Sequence, residues 1–270
     1  MRNLEIVITC EVYVGQALSI GIMKNCVSLM IGRGGSSLKD KNILMVLGRP
    51  LLQYPALAAQ NSKYVDSCYI SSDCDKILSA AKEVGFKKIH RPKSLSEPDS
   101  QSSDVVFHAL KHIQEEIPID YLVVQHANVG TINEEMIDTC LETLFADESL
   151  SAVVPAHYEN ENHPYRASFI NQDGTLEAVS AGLPGGVSGN RQDLPECVFF
   201  DHSFWAINLM HIRKNGLGNG PWPCMGKRIK PYITEGSFDV HSIDDLKRTE
   251  EWLLRHGAVD LSRKNDEYNM

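Results

Sequence analysis

The sequence predicts an α/β fold built on a mostly parallel sheet, and three observations lead there. Short apolar runs alternate with segments of helical periodicity, the pattern of repeated βαβ units. The 270 residues are enough for one large α/β domain or two small ones at roughly 150 residues per domain. Apolar residues at 43% and charged residues at 23% are ordinary globular values, which excludes a disordered, collagenous or disulfide-stapled chain.

Taken in order, the segment Leu4 to Met23 is apolar but interrupted by Glu5 and Glu11. Its longest uncharged run, from Val12 to Met23, is well short of the roughly 18 residues a spanning helix needs. Arg2 alone ahead of Glu5 makes a poor basic region for a signal peptide. Residues 1–22 are therefore expected to be an N-terminal extension and 23–270 the folded domain. Strands are expected at 26–31, 66–71, 87–90, 120–125, 151–156 and 197–207. Helices are expected at about 50–61, 74–85, 102–116, 133–146 and 243–256, with apolar residues three or four apart, as in Ile77, Leu78, Ala81 and Val84. Pro50 suits a first helical turn and Gly85 a C-terminal stop. Between Pro155 and Pro195 the pattern gives way to polar, Gly-rich sequence, read as an insertion or flap. It contains a hairpin from Ala167 to Glu177, turning at Asp173-Gly174.

Charge and cysteine usage narrow the function. With 26 Lys and Arg against 35 Asp and Glu the net charge is −9, which argues against a dedicated nucleic-acid binder because phosphate contacts need clustered cations. An anionic ligand would have to meet a local basic pocket. The seven cysteines are odd in number and never spaced C-x-x-C, so neither a disulfide framework nor a zinc knuckle is indicated. They read as reduced thiols of a cytoplasmic protein with no membrane anchor.

In a parallel sheet, ligands sit beyond the carboxyl ends of the strands. After the first expected strand comes Gly32-Arg33-Gly34-Gly35-Ser36-Ser37-Leu38-Lys39-Asp40-Lys41-Asn42. Glycines let backbone N–H groups approach phosphate oxygens, while Arg33, Lys39 and Lys41 supply charge for a triphosphate. The loop is neither a Walker A loop nor a G-x-G-x-x-G fingerprint, and the same composition also suits a tight turn with solvated lysines.

From about Cys26 to Gly257 the chain resembles the acylneuraminate and 3-deoxy-octulosonate cytidylyltransferases, which make CMP-activated keto sugar acids. Arg33, Ser36, Lys41 and Asn42 resemble that family's Arg-x-x-Ser…Lys-Asn loop, and Leu47-Gly48-Arg49-Pro50-Leu51 its Gly-Lys-Pro-Leu. Tyr69-Ile70-Ser71-Ser72-Asp73 is similar to Val-Ser-Thr-Asp, and Arg91-Pro92-Lys93-Ser94-Leu95 to Arg-Pro-x-x-Leu. His163-Pro164 and Arg191-Gln192-Asp193-Leu194-Pro195 resemble the sialic and legionaminic acid branch. There are also departures. Lys41 follows Arg33 one residue sooner than in the family, which leaves open whether Lys39 or Lys41 reaches phosphate. The family's Gln-Pro-Thr-Ser-Pro-Leu is here Gln125-His126-Ala127-Asn128-Val129-Gly130, its Asn-Gly-Ala is missing around Phe200 to Trp205, and its Asp-x-Asp is Asp239-Val240-His241.

The resemblance implies a three-layer Rossmann-like nucleotidyltransferase fold and transfer of CMP from CTP to the anomeric hydroxyl of a keto sugar acid, releasing pyrophosphate. It implies CTP contacts from Arg33, Gly34, Gly35, Ser36, Lys39, Lys41, Asn42, Ser72, Asp73 and Arg91, with Arg33, Lys41, Gln125 and Asp239 catalytic. Sugar contacts fall to Gln125, Arg166 and Arg191, whose guanidinium forks suit a carboxylate. Asp239 and His241 fall where the family holds magnesium; histidine would favour manganese if it ligates, and magnesium would remain with Asp239 if it does not. The 155–195 insertion resembles the family's dimerisation arm, which implies a homodimer. Each residue also has a plainer reading: a solvated arginine, a capping serine, a strand-closing glutamine. His126, His157 and His202 read as structural histidines, and Phe204 and Trp205 as core. Two other functions stay open, a nucleotide-sugar glycosyltransferase of the GT-A type and a nucleotide-sugar binding protein that has lost its second carboxylate.

Overall fold

The computed structural model describes residues 24–35, 38–183 and 186–262. The expected extension at 1–22, and Ser36, lie outside the described residues. In chain order the elements are β1 (Cys26–Ile31), β2 (Met45–Val46), β3 (Arg49–Pro50), α1 (Gln53–Asn61), β4 (Ser67–Ser72), α2 (Asp75–Glu83), β5 (Lys87–His90) and α3 (Ser102–Glu116). They continue as β6 (Tyr121–His126), α4 (Glu134–Ala146), β7 (Ala152–Tyr158), β8 (Ser168–Ile170), β9 (Leu176–Ala178), β10 (Val198–Phe200), β11 (Phe204–Asn208), α5 (Leu209–Asn215), β12 (Ile229–Ile233) and α6 (Ile243–Arg255).

The main sheet runs β10-β7-β11-β6-β1-β4-β5, with β12 also paired to β7. Strands β5, β4, β1 and β6 are mutually parallel, β11 is antiparallel to both β6 and β7, and β12 is parallel to β7. The sheet is therefore mixed and largely parallel, and β1, β4, β6, β7 and β12 all end at one edge. Alternation along β1 fills both faces, as period-two side chains must. Cys26 and Met30 pack with α1, α2 and α4, while Val27, Leu29 and Ile31 pack with α3. These two layers are the core. A third cluster joins Val46, Leu47 and Leu51 to Val240, Trp252 and Leu253. Complete burial of Val240, worth about 1.5–3 kcal/mol, ties the segment before α6 to the chain that follows the first loop.

Three expectations need correction. Pro50 lies in β3, and the helix begins only at Gln53, because the chain first closes the short β2–β3 ladder. The expected strand 197–207 is two strands, each antiparallel to β7, broken where His202 takes φ 54°. Strand β12 and helix α5 were absent from the sequence reading; the strand is short, half-exposed and carries Pro231. Gly85, at φ 84°, does follow the end of α2, and the hairpin β8–β9 forms with Gly174 at φ 83°.

Candidate active site

The first loop is shaped by close approach and by internal hydrogen bonds. A Cβ on Gly32 would lie 2.7 Å from Ala127 Cβ, so glycine lets the exits of β1 and β6 touch. Gly32 N–H donates to Ser71 O at 3.2 Å, and Gly34 N–H to Asp73 Oδ1 at 3.0 Å. Asn42 Nδ2 donates to Arg33 O at 3.0 Å, so the buried Asn42 fixes the backbone that carries Arg33.

Beyond these strand ends opens a cleft of about 450 Å³, whose lining includes Arg33, Lys41, Asn42, Arg91, His126, Asn128, Asp239 and His241. Arg33 Nη1 donates to Glu97 O at 2.9 Å, which leaves most of its guanidinium for a ligand. Arg91 is 8% exposed and donates through Nη2 to Ser71 O at 2.7 Å. Burial pushes its pKa down to about 10, with nearby Asp73 opposing and Arg33 adding to the fall. Lys41 is likewise pushed below its ordinary value by burial and by Arg33, against the pull of Asp239. Both groups would regain their charge preference from an anion placed between them. Across the cleft, Asp239 Oδ1 accepts from Asn128 Nδ2 and lies 3.9 Å from Lys41 Nζ. His241 sits between Lys41 and Asp239, with Nδ1 3.4 Å from Lys41 Nζ and Nε2 3.1 Å from Asp239 Oδ2.

The other predicted residues lie elsewhere. Gln125 is fully buried, its Oε1 accepting from Ser28 Oγ at 2.7 Å and its Nε2 donating to Pro55 O at 2.6 Å. Both ends of its amide hold partners inside the protein, and it does not line the cleft. Ser72 is also fully buried, and its hydroxyl accepts from Cys74 N–H at the start of α2. Lys39 is exposed outside the lining, so Lys41 is the loop lysine that enters the cleft. Gly35 is open to solvent, and Asp73 is held to Gly34. Arg166 and Arg191 both engage Glu161, through its carbonyl at 3.1 Å and its carboxylate at 2.6 Å, and neither lines the cleft. Sequence reasoning missed Asn128, the partner of Asp239; no spacing marks it. Ser242 and Asp245 form the capping box of α6, so Asp239 has no capping duty.

Asp239 and His241 are the protein donors a cation at this wall could use. Among the described residues no group of three or more His, Cys, Asp or Glu side chains could hold a metal ion. One carboxylate fits magnesium only where nucleotide phosphates complete the oxygen shell. A larger cavity, of about 510 Å³, lies between α1 and the chain after α6 and is lined by Tyr54, Leu57, Trp252 and Leu253 among others. It contains none of the predicted site residues. The described cysteines are free, and among the described residues no helix is long and apolar enough to cross a membrane.

A family model described as cytidylyltransferase matches residues 29–176, more than half of the chain, and the chain belongs to that family. It is similar to the pseudaminic acid cytidylyltransferase of Campylobacter jejuni, 30% identical over 155 residues that cover 56% of this chain and 65% of the relative. It is also similar to the N-acylneuraminate cytidylyltransferase of Oncorhynchus mykiss, 24% identical over 249 residues that cover 90% of this chain and 54% of the relative. The chain thus spans less than two thirds of the length of these relatives. Among solved structures, it superposes on CMP:2-keto-3-deoxy-manno-octonic acid synthetase complexed with CTP, with a TM-score of 0.61 and 14% identity over 86% of this chain and 100% of that one. The fold is therefore the nucleotidyltransferase α/β fold anticipated from the resemblance.

Proposed function

We propose that the protein transfers CMP from CTP to the anomeric hydroxyl of a keto sugar acid of the sialic, legionaminic or pseudaminic kind, releasing pyrophosphate. The observation that carries this reading is the cleft itself: Arg33, Lys41 and Arg91 face Asp239 at the carboxyl ends of the parallel strands. That local excess of cations stands in a chain of net charge −9, which is what a triphosphate needs from an acidic protein.

In the reaction, the sugar's C2 hydroxyl oxygen bonds to the α-phosphorus of CTP as the bond from that phosphorus to the bridging oxygen breaks. The hydroxyl proton passes to solvent water and pyrophosphate leaves. Catalysis of this kind is mostly positioning and charge neutralisation. Arg33 and Lys41 hold the triphosphate, Arg91 backs it from beneath, and Asn42 keeps the Arg33 backbone in place. Asp239 would hold magnesium, which supplies charge neutralisation at the phosphates. Arg166 and Arg191 belong to the 155–195 insertion, whose exposed Phe169, Ile170 and Leu176 support a two-fold dimer built on that arm. Family membership favours this reading over a GT-A glycosyltransferase.

The test is pyrophosphate release from CTP with a panel of N-acetylneuraminic, legionaminic, pseudaminic and 3-deoxy-octulosonic acids. Turnover with at least one acid, with CTP preferred over ATP, GTP and UTP, is expected. CTP binding without turnover on any acid would favour the binding-protein alternative.

A further inference from the structure

The segment that brings Asp239 to the cleft is anchored from a distance by a carboxylate with no place in the cleft. Asp201 follows β10, and its side chain is 0% exposed. Its Oδ1 lies 2.6 Å from His157 Nδ1 at the end of β7, and its Oδ2 accepts from Thr234 Oγ1 just beyond β12. Its backbone is equally committed: Asp201 N–H donates to Pro155 O at 2.9 Å, and Asp201 O accepts from Ser237 Oγ. Thr234 Oγ1 in turn accepts from Gly236 N–H at 3.0 Å. Gly236 has φ 93°, and a Cβ there would meet the His157 ring at 3.7 Å. The turn at Gly236 is therefore folded against the His157–Asp201 pair.

From this anchor the chain runs only a few residues to Asp239. Phe238 N–H donates to Thr131 Oγ1 at 3.2 Å, Asp239 bridges Val129, and Val240 N–H donates to Asn128 O at 3.1 Å. Asn128 reaches the Asp239 carboxylate as well. One end of the segment is fixed by Asp201 and the other by the exit of β6.

A buried carboxylate is expensive unless fully hydrogen-bonded. Here its two oxygens serve two separate pieces of chain, the end of β7 and the segment just beyond β12, at the edge of the sheet where the cleft lies. We propose that Asp201, clamped by His157 and Thr234, is a positioning residue that fixes the path of residues 234–239 and so sets where the Asp239 carboxylate stands. The proposal rests on the assignment of Asp239 to the reaction.

The isosteric change Thr234→Val removes one hydroxyl from the clamp, and Thr234→Ser restores it. Amide hydrogen exchange by NMR reads the clamp directly at Phe238 and Val240, whose bonds go to Thr131 and Asn128 and not to Thr234. Thr234→Val is expected to speed exchange at both amides while the amides of β1 and β6 keep their protection. Turnover should fall about tenfold or more, because small misplacements of a catalytic group are costly, with KM for CTP within about twofold and Thr234→Ser near wild type. Unchanged exchange at Phe238 and Val240 in Thr234→Val would overturn the proposal, as would a loss of protection spread evenly over the whole sheet. If Asp239→Asn has no effect on turnover while the exchange result holds, the clamp stands and the catalytic assignment of Asp239 fails.

Discussion

His241 lies between Asp239 and Lys41, its Nε2 3.1 Å from Asp239 Oδ2 and its Nδ1 3.4 Å from Lys41 Nζ. A lysine ammonium has hydrogens to give and no lone pair to offer, so a charged Lys41 pairs with the His241 tautomer whose Nδ1 accepts and whose Nε2–H faces Asp239. On the function proposed above, magnesium would sit on Asp239 with His241 orienting the carboxylate, and manganese would be preferred if His241 instead ligates through Nε2. Asp239→Asn should cut turnover by at least about a hundredfold, as loss of a charge-stabilising group does, with the melting temperature little changed. His241→Ala should lower magnesium-supported turnover by about 10–100-fold, the scale of lost outer-shell partners. Steady-state rates in magnesium and in manganese read both. A strong manganese preference in the wild type that His241→Asp reverses would make His241 a ligand.

Arg33 and Arg91 both line the cleft but differ in what they hold up. Arg33 makes one bond to a loop carbonyl, so Arg33→Ala should weaken CTP binding by tenfold or more while moving stability by only about 0.5 kcal/mol. Arg91 is buried and bonded to Ser71, so Arg91→Ala should lose stability as well as affinity, by about 1–3 kcal/mol. Calorimetric titration with CTP beside urea unfolding separates the two cases. Equal stability losses would make Arg33 structural.

Gln125 was expected to touch substrate, and its geometry predicts a different phenotype. Gln125→Leu strands Ser28 Oγ and Pro55 O, both inside the fold, at about 1–3 kcal/mol for each group left unpaired. The urea midpoint should fall clearly, while KM for CTP, measured on the folded enzyme at low temperature, should stay within about threefold. A large kinetic defect at unchanged stability would return Gln125 to the substrate.

What was legible in the sequence follows from how local each signal is. Strands β1, β4, β5 and β6 and helices α2, α3 and α4 were found because their apolar periodicity is written within one element. The cleft was found because Arg33, Lys41 and Asn42 follow a strand directly. Partners joined only by the fold were invisible: Asn128 with Asp239 lie 111 positions apart and Asp201 with His157 lie 44 apart. The direction of Gln125 is not legible because a polar residue at a strand end looks the same whether it points into a cleft or, as here, toward α1. The break at Asp201 to Ser203 was missed because the apolar pairs Phe199-Phe200 and Phe204-Trp205 on either side of it read as one strand, and the left-handed turn at His202 has no glycine to announce it.

The insertion carries a prediction of assembly. Phe169, Ile170 and Leu176 are 64%, 79% and 70% exposed on a hairpin that pairs only with itself. An isolated hairpin is marginal in water, and a partner copy packed around it would bury Ile170 and Leu176 on one face and Phe169 on the other. The protein should sediment as a dimer at tens of micromolar, roughly where even a weak dimer forms. Phe169→Ser combined with Ile170→Ser should shift it to monomer without lowering the melting temperature of the sheet domain. A monomer in the wild type would remove the arm's assigned role.

The last prediction concerns pH. The His126 ring lies edge-on to Trp205 at 4.9 Å, at the inner end of the cleft. Burial pushes its pKa down to about 4, and the neighbouring His202 adds to the fall while Asp239 opposes it. In the unfolded chain a histidine titrates near 6.5, so between these values the unfolded state binds the proton and the folded state does not. Stability therefore rises with pH across this window. The contribution of His126 is complete above about pH 6.5 and is lost progressively as pH falls toward 4. His202 is lowered as well, also first by burial, and acts in the same direction. Replacing His126 by Asn, which keeps a polar side chain but cannot take up the proton, should flatten the acid side of the stability curve. The slope lost would be at most about one proton, or about 1.4 kcal/mol per pH unit. Urea unfolding from pH 7.5 to 4.5 measures it, and His126→Asn with His202→Asn together should flatten it further. Parallel curves for wild type and His126→Asn would mean that His126 takes up its proton as readily in the folded protein as in the unfolded chain.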